Sequence, residues 1–150
     1  MLLRKTHIAI GLAAGLYFLP LVKNKMLFIP LVLAATLLPD IDSINSNIGR
    51  KRIFMPIQLF LKHRGPLHSY TICILISLAL AFFYPVFSLP FFLGYSFHLL
   101  ADSFTINGIK PFWPLKHVSN GKVTTGGLID KALFGIFGVV DAVLLLFLFV

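Results

Sequence analysis

An all-α fold, a polytopic helical membrane bundle of four to five transmembrane helices, is what this sequence predicts, and two observations predict it. Of its 150 residues, 58% are hydrophobic and only 12% charged, against about 25% charged in an ordinary soluble domain. The apolar residues also come in long runs rather than in the alternating or amphipathic patterns that leave a polar outer face. The length suits a single domain over 1–150.

The first run covers 8–22. Its opening, MLLRKTHIAIGLAAGLYF, has the charged start and apolar stretch of a signal peptide, but the run continues to Val22 and further runs follow, so it reads as an uncleaved first span. The second covers 26–39. At about 15 residues, or about 22 Å of helix against a hydrocarbon core of about 30 Å, these two are expected to be shallow or tilted. Runs at 70–87 and 89–101 follow, with a turn expected near Ser88, and the last run covers 132–150.

Two connections stand out. Segment 43–62 carries Arg50, Lys51 and Arg52 and then IFMPIQLFLK, which suits an interfacial stretch. Segment 105–127 is rich in Gly, Pro and Asn. Both are candidate substrate-facing loops. No internal repeat or low-complexity segment is present.

The formal charge of +8 sets 13 Lys and Arg against five acidic residues, all of them Asp. The cations lie between apolar runs rather than in one block, which suits lipid headgroups and membrane topology, and nucleic acid is not an expected partner. Cys73 is the single cysteine and sits inside an apolar run, so neither a disulfide framework nor a cysteine zinc site is available.

If the runs alternate through the membrane, His7, Asp40, His68 and Asp102 all fall at one face. Arg4, Lys5, Arg50, Lys51, Arg52, Lys62, Arg64, Lys110, Lys116, Lys122 and Lys131 share that face, and only Lys23 and Lys25 mark the other. The positive-inside rule makes the first face cytoplasmic.

That face gathers seven candidate metal ligands: His7, Asp40, Asp42, His63, His68, His98 and Asp102. Zinc and its relatives take neutral imidazole and carboxylate, and a two-metal site needs about six such donors. His98 and Asp102 in GYSFHLLADSF are four apart and stack on one side of a helix. Asp40 and Asp42 in LLPDID follow Pro39 at a frayed helix end, where both can turn toward one centre. His63 and His68 in KHRGPLHS are five apart, wrong for one helical face but reasonable for a loop that folds one beside the next helix.

Each piece has a bland alternative. His7 alone suits a cap or an interfacial residue, HxxxD suits a hydrogen-bonded couple, and the LPDID aspartates suit caps of a following turn. Arg64 suits a headgroup anchor. The metal reading rests on coincidence of place, because ionisable groups in a membrane are costly and usually functional. His117 reads first as an ordinary loop histidine, with an extra ligand or a substrate contact as the alternative, Asp130 as a helix N-terminal residue, and Trp113 and Phe112 as interfacial anchors. Asp141 interrupts the last run and should be protonated or paired inside the bundle.

The ordered set TH at 6–7, LLPDID at 37–42, HRGPLHS at 63–69 and GYSFHLLADSFT at 94–105, then GIKPFWP at 108–114, resembles the YdjM-like family of inner-membrane metal-dependent hydrolases. The family is itself distantly similar to zinc-dependent phospholipase C enzymes, whose sites use comparable PDxD, HxxxxH and HxxxD pairs. The resemblance covers about residues 5 to 115. It implies a helical hydrolase of the inner membrane that acts on a phosphoester or other lipid-associated ester. It implies a divalent metal, zinc by expectation. The chain lacks Glu and a second downstream HxxxE or HxxxD, so one or two ions are expected rather than three.

In such an enzyme Asp42, or failing that Asp40, is the carboxylate expected to ligate and to orient or deprotonate a water. Arg64 is placed to meet a phosphate or to donate to a carboxylate ligand, and Ser69 and Ser103 to hydrogen-bond the ligands. A metal transporter or metal sensor is the rival reading. It would put its ligands near the midplane on broken helices, whereas these lie at the ends of the runs. A structural or adaptor membrane protein is the other rival, and it predicts polar side chains scattered in depth.

Overall fold

The computed structural model describes residues 2–42 and 65–149, which form helices joined by turns and loops with no strand among them beyond two isolated bridges. Among the described residues five α-helices carry the fold: α1 (Arg4–Phe18), α2 (Lys25–Leu37), α3 (Tyr70–Phe83), α4 (Pro85–Ser103) and α5 (Leu128–Phe149). Short 3-10 turns at Leu19–Leu21, Pro39–Asp42 and Pro66–His68 close α1, follow α2 and precede α3.

The helices obey the sequence with two adjustments. The turn between the third and fourth apolar runs falls at Tyr84, not near Ser88, because Tyr84 leaves helical geometry at φ −142° and ψ 69° and Pro85 opens α4 at its first position. Proline there has its fixed φ already helical and gives up an N–H that has no intrahelical partner anyway. Pro30 and Pro90 lie inside α2 and α4. Both helices are packed against neighbours, and such packing supports the backbone that an interior proline frees.

α4 is the hub, packed against α1, α2 and α3, while α1 also receives α2 and α5. Small residues set the closest crossings. A Cβ on Gly94 would collide with the Val32 carbonyl and stand 2.8 Å from the Thr36 nitrogen, and one on Gly11 would collide with the Thr36 side chain. Glycine at both places lets α1, α2 and α4 approach backbone to backbone, the close crossing that small residues permit. Thr36, fully buried, turns its hydroxyl back to the Val32 carbonyl at 2.8 Å.

α5, 22 residues and about 33 Å long, is by itself long and apolar enough to cross a bilayer. Its inward stripe contains Asp130, Leu133, Phe137 and Asp141, and its outer face is open. Phe82, Met26, Leu128 and Phe147 are each more than three quarters exposed, far more apolar surface than a soluble monomer leaves in water.

Segment 105–127 folds back onto the end of α4. Val123 N–H donates to the Phe104 carbonyl at 3.1 Å, and Gly108 and Gly121 N–H both donate to the Thr105 carbonyl. Gly108 has φ +59°, and a Cβ there would strike the Ser119 carbonyl. Tyr70 N–H donates to the Pro111 carbonyl at 2.8 Å, so the same loop ties the start of α3 to the end of α4.

Candidate metal centre

Five of the seven candidate ligands meet at one end of the bundle. His7 comes from the first turn of α1, Asp40 from the turn after α2, His68 from the turn before α3, and His98 and Asp102 from the last turns of α4. Each is at most 1% exposed. Alternating helix direction produces this convergence: α1 begins where α2 and α4 end.

Asp102 is at the middle. His7 Nε2 lies 3.2 Å from its Oδ1, and His68 Nε2 and His98 Nε2 each lie 3.8 Å from its Oδ2. His98 Nε2 also faces Asp40 Oδ1 at 3.6 Å. The His7 and His98 rings stack at 4.0 Å and 15°, and His68 meets His98 edge-on at 5.7 Å.

These spacings suit a cation. A tetrahedral ion about 2.0–2.1 Å from each donor spaces the donors about 3.3 Å apart; the His–Asp distances run from 3.2 to 3.8 Å, and the donor atoms of each triad lie within 4.8 Å of one another. Two donor triads overlap, His7 with His98 and Asp102, and Asp40 with His68 and His98. Among the described residues His98 Nε2 completes no hydrogen bond, although the ring is fully buried. Buried polar atoms in that state call for an explanation such as an ion. Two buried carboxylates, when ionised, carry the charge that one divalent cation balances.

The surroundings hold the donors in place. Leu2 N–H donates to Asp102 Oδ1 at 3.0 Å. Tyr95 Oη donates to the Leu67 carbonyl at 2.5 Å and Tyr70 Oη to the Ser96 carbonyl at 3.1 Å, which fixes the segment carrying His68 against α4. Asp130, fully buried, accepts from Thr6 Oγ1 at 2.6 Å, Leu3 N–H at 2.9 Å and Gly126 N–H at 2.8 Å. It therefore binds the start of α5 to the start of α1, one residue from His7.

Other expectations fare differently. Asp42 closes the turn after α2, and its side chain lies outside the described ones; His63 and Arg64 lie outside the described residues altogether. Ser69 and Ser103 do not bond the ligands: Ser69 Oγ donates to the Pro66 carbonyl and caps α3 by accepting from Ile72 N–H, and Ser103 Oγ donates to the Leu100 carbonyl. His117 is exposed in the loop and belongs to neither donor triad. Asp141 is inside as expected, 7% exposed, and its Oδ1 has no hydrogen-bond partner among the described residues. Asp130 and Thr6 were not legible as a joint, because nothing in a single sequence pairs two residues so far apart; the TH dipeptide was the sole signal, and it pointed to His7.

No curated protein and no solved structure matches the chain. The family model that does match is described as YdjM inner membrane protein, and it covers residues 1–150, beyond the stretch whose motifs carried the resemblance. A membrane-length helix, an apolar exterior and the sequence match agree: the chain belongs to the YdjM inner membrane protein family.

Proposed function

We propose that the chain is a membrane-bound, metal-dependent hydrolase that crosses the bilayer four to five times, with its site at the cytoplasmic face. The observation that carries this is the buried cluster of three imidazoles and two carboxylates drawn from four separate chain segments to one end of the bundle. His7, Asp40, His68, His98 and Asp102 would hold one or two divalent ions, zinc by expectation, with Asp42 and His63 as further donors. When bound, such an ion supplies Lewis acidity toward water and toward an ester oxygen.

The chain's own groups do the rest. Asp40 or Asp42 orients a water and takes its proton. Arg64, beside the ligand segment in sequence, meets an anionic phosphoester. The substrate is a phosphoester or lipid-associated ester. A transporter is disfavoured by the place of the donors, which sit at helix ends and not at a midplane break.

The test is hydrolysis by the full chain in lipid nanodiscs, supplied with zinc, on a panel of phosphoester and carboxylic-ester lipids. Turnover that disappears with a chelator and in Asp102→Asn supports the reading. A metal-loaded protein inert on every member, or turnover indifferent to the chelator, overturns it.

A further inference from the structure

α5 leans on α1 and stands off α4. The gap between α4 and α5 is a cleft of about 390 Å³ with wholly apolar walls. Phe97 and Ala101 of α4 form one side and Leu133 and Phe137 of α5 the other, with Leu2 and Ile10 as the floor. Ile129 and Phe104, at its upper end, are 52% and 58% exposed, so the cleft opens sideways to whatever surrounds the bundle. In an inner membrane protein that is hydrocarbon, and water does not settle in an apolar cavity.

From Ile129 to Phe137 the cleft runs along two turns of α5, about 12 Å at 1.5 Å per residue. A slot of that length and about 390 Å³, apolar throughout and set in a protein of the inner membrane family, suits a flexible hydrocarbon chain.

The cleft also shares its walls with the metal centre. Ala101 and Phe97 are the chain neighbours of Asp102 and His98, and Leu2, on the floor, donates its N–H to Asp102 Oδ1. Lys122 and Lys131, both exposed, lie one and two residues from the lining residues Val123 and Ile129 in sequence, and exposed cations near a membrane surface attract anionic headgroups.

We infer that the α4–α5 cleft binds one acyl chain of a membrane lipid, entering sideways from the bilayer, so that its headgroup lies level with Asp102. On the hydrolase reading, on which this last step rests, the substrate is an acyl-bearing membrane lipid and not a water-soluble ester.

The experiment reconstitutes the full chain in vesicles of phosphatidylethanolamine and phosphatidylglycerol that contain phosphatidylglycerol with a diazirine in its acyl chain. After illumination, labelled positions are mapped by mass spectrometry. Labelling of Phe97, Leu133 and Phe137 at least fivefold above the outer α5 positions Ile136, Val139 and Leu146 is expected. Leu133→Trp should cut cleft labelling about tenfold with bound metal unchanged, and Ile129→Trp, at the open mouth, serves if the first variant does not assemble. Even labelling over both faces of α5, or no effect of the blocking variants, overturns the proposal whatever the enzyme assays give. Cleft labelling in a protein that hydrolyses no lipid overturns the hydrolase reading and leaves the lipid site standing.

Discussion

His98 Nε2 lies 3.6 Å from Oδ1 of Asp40, and this approach joins the end of α4 to the end of α2. It also links the two overlapping donor triads, since His98 belongs to both. A residue common to both should matter more than any other ligand.

His98→Ala is accordingly expected to weaken zinc binding by more than the about 10–100-fold that loss of an outer hydrogen-bond partner costs. His7→Ala, which touches one triad, should retain part of the metal. His117→Ala, on the exposed loop, should change nothing. Competition against a chromogenic chelator measures all three.

The joint between Thr6 and Asp130 predicts a stability effect separable from metal binding. Thr6→Val removes a buried 2.6 Å hydrogen bond to a carboxylate and leaves Asp130 Oδ1 short of a donor, a loss of about 1–3 kcal/mol. Thermal unfolding in detergent should fall accordingly, while metal per chain stays at the wild-type value.

Gly94→Ala tests the helix crossing beneath the site. Its methyl would meet the Val32 carbonyl and the Thr36 backbone, neither of which can turn aside, and overpacking of that kind costs about 1–3 kcal/mol. Because α2 carries Asp40 and α4 carries His98, metal retention should fall with stability. Gly135→Ala, whose methyl meets nothing within 4 Å, should stay within about 0.5 kcal/mol of wild type.

The proposed topology, with the cationic face inside, is tested by labelling. In a Cys73→Ser background, Asn24→Cys should react with an impermeant thiol reagent from outside intact cells, and Asn120→Cys only after permeabilisation. The reverse pattern would put the metal centre on the outer face.

Much of this was legible in sequence for physical reasons. The apolar runs exceed what a soluble domain carries, and once alternation through a membrane is assumed, His7, Asp40, His68 and Asp102 fall at one end without further information. HxxxD needs only helical periodicity to stack His98 over Asp102. What stayed hidden depends on contacts between distant segments: the Leu2 bond to Asp102, the hold of Asp130 on Thr6, and the Tyr95 anchor on Leu67. Ser88 was a poor marker of the turn because a serine inside a membrane helix can satisfy itself, and its hydroxyl reaches the Ser77 carbonyl of α3 at 2.8 Å. The serines beside ligands misled likewise, since a backbone carbonyl of their own turn was nearer than any ligand.

The most direct test of the central claim is elemental analysis of the purified full chain in detergent, with His98→Ala beside it. One to two equivalents of zinc or another divalent metal per wild-type chain, and none in the variant, is the predicted result. No metal in either protein, even after incubation with zinc and removal of the excess, would contradict it.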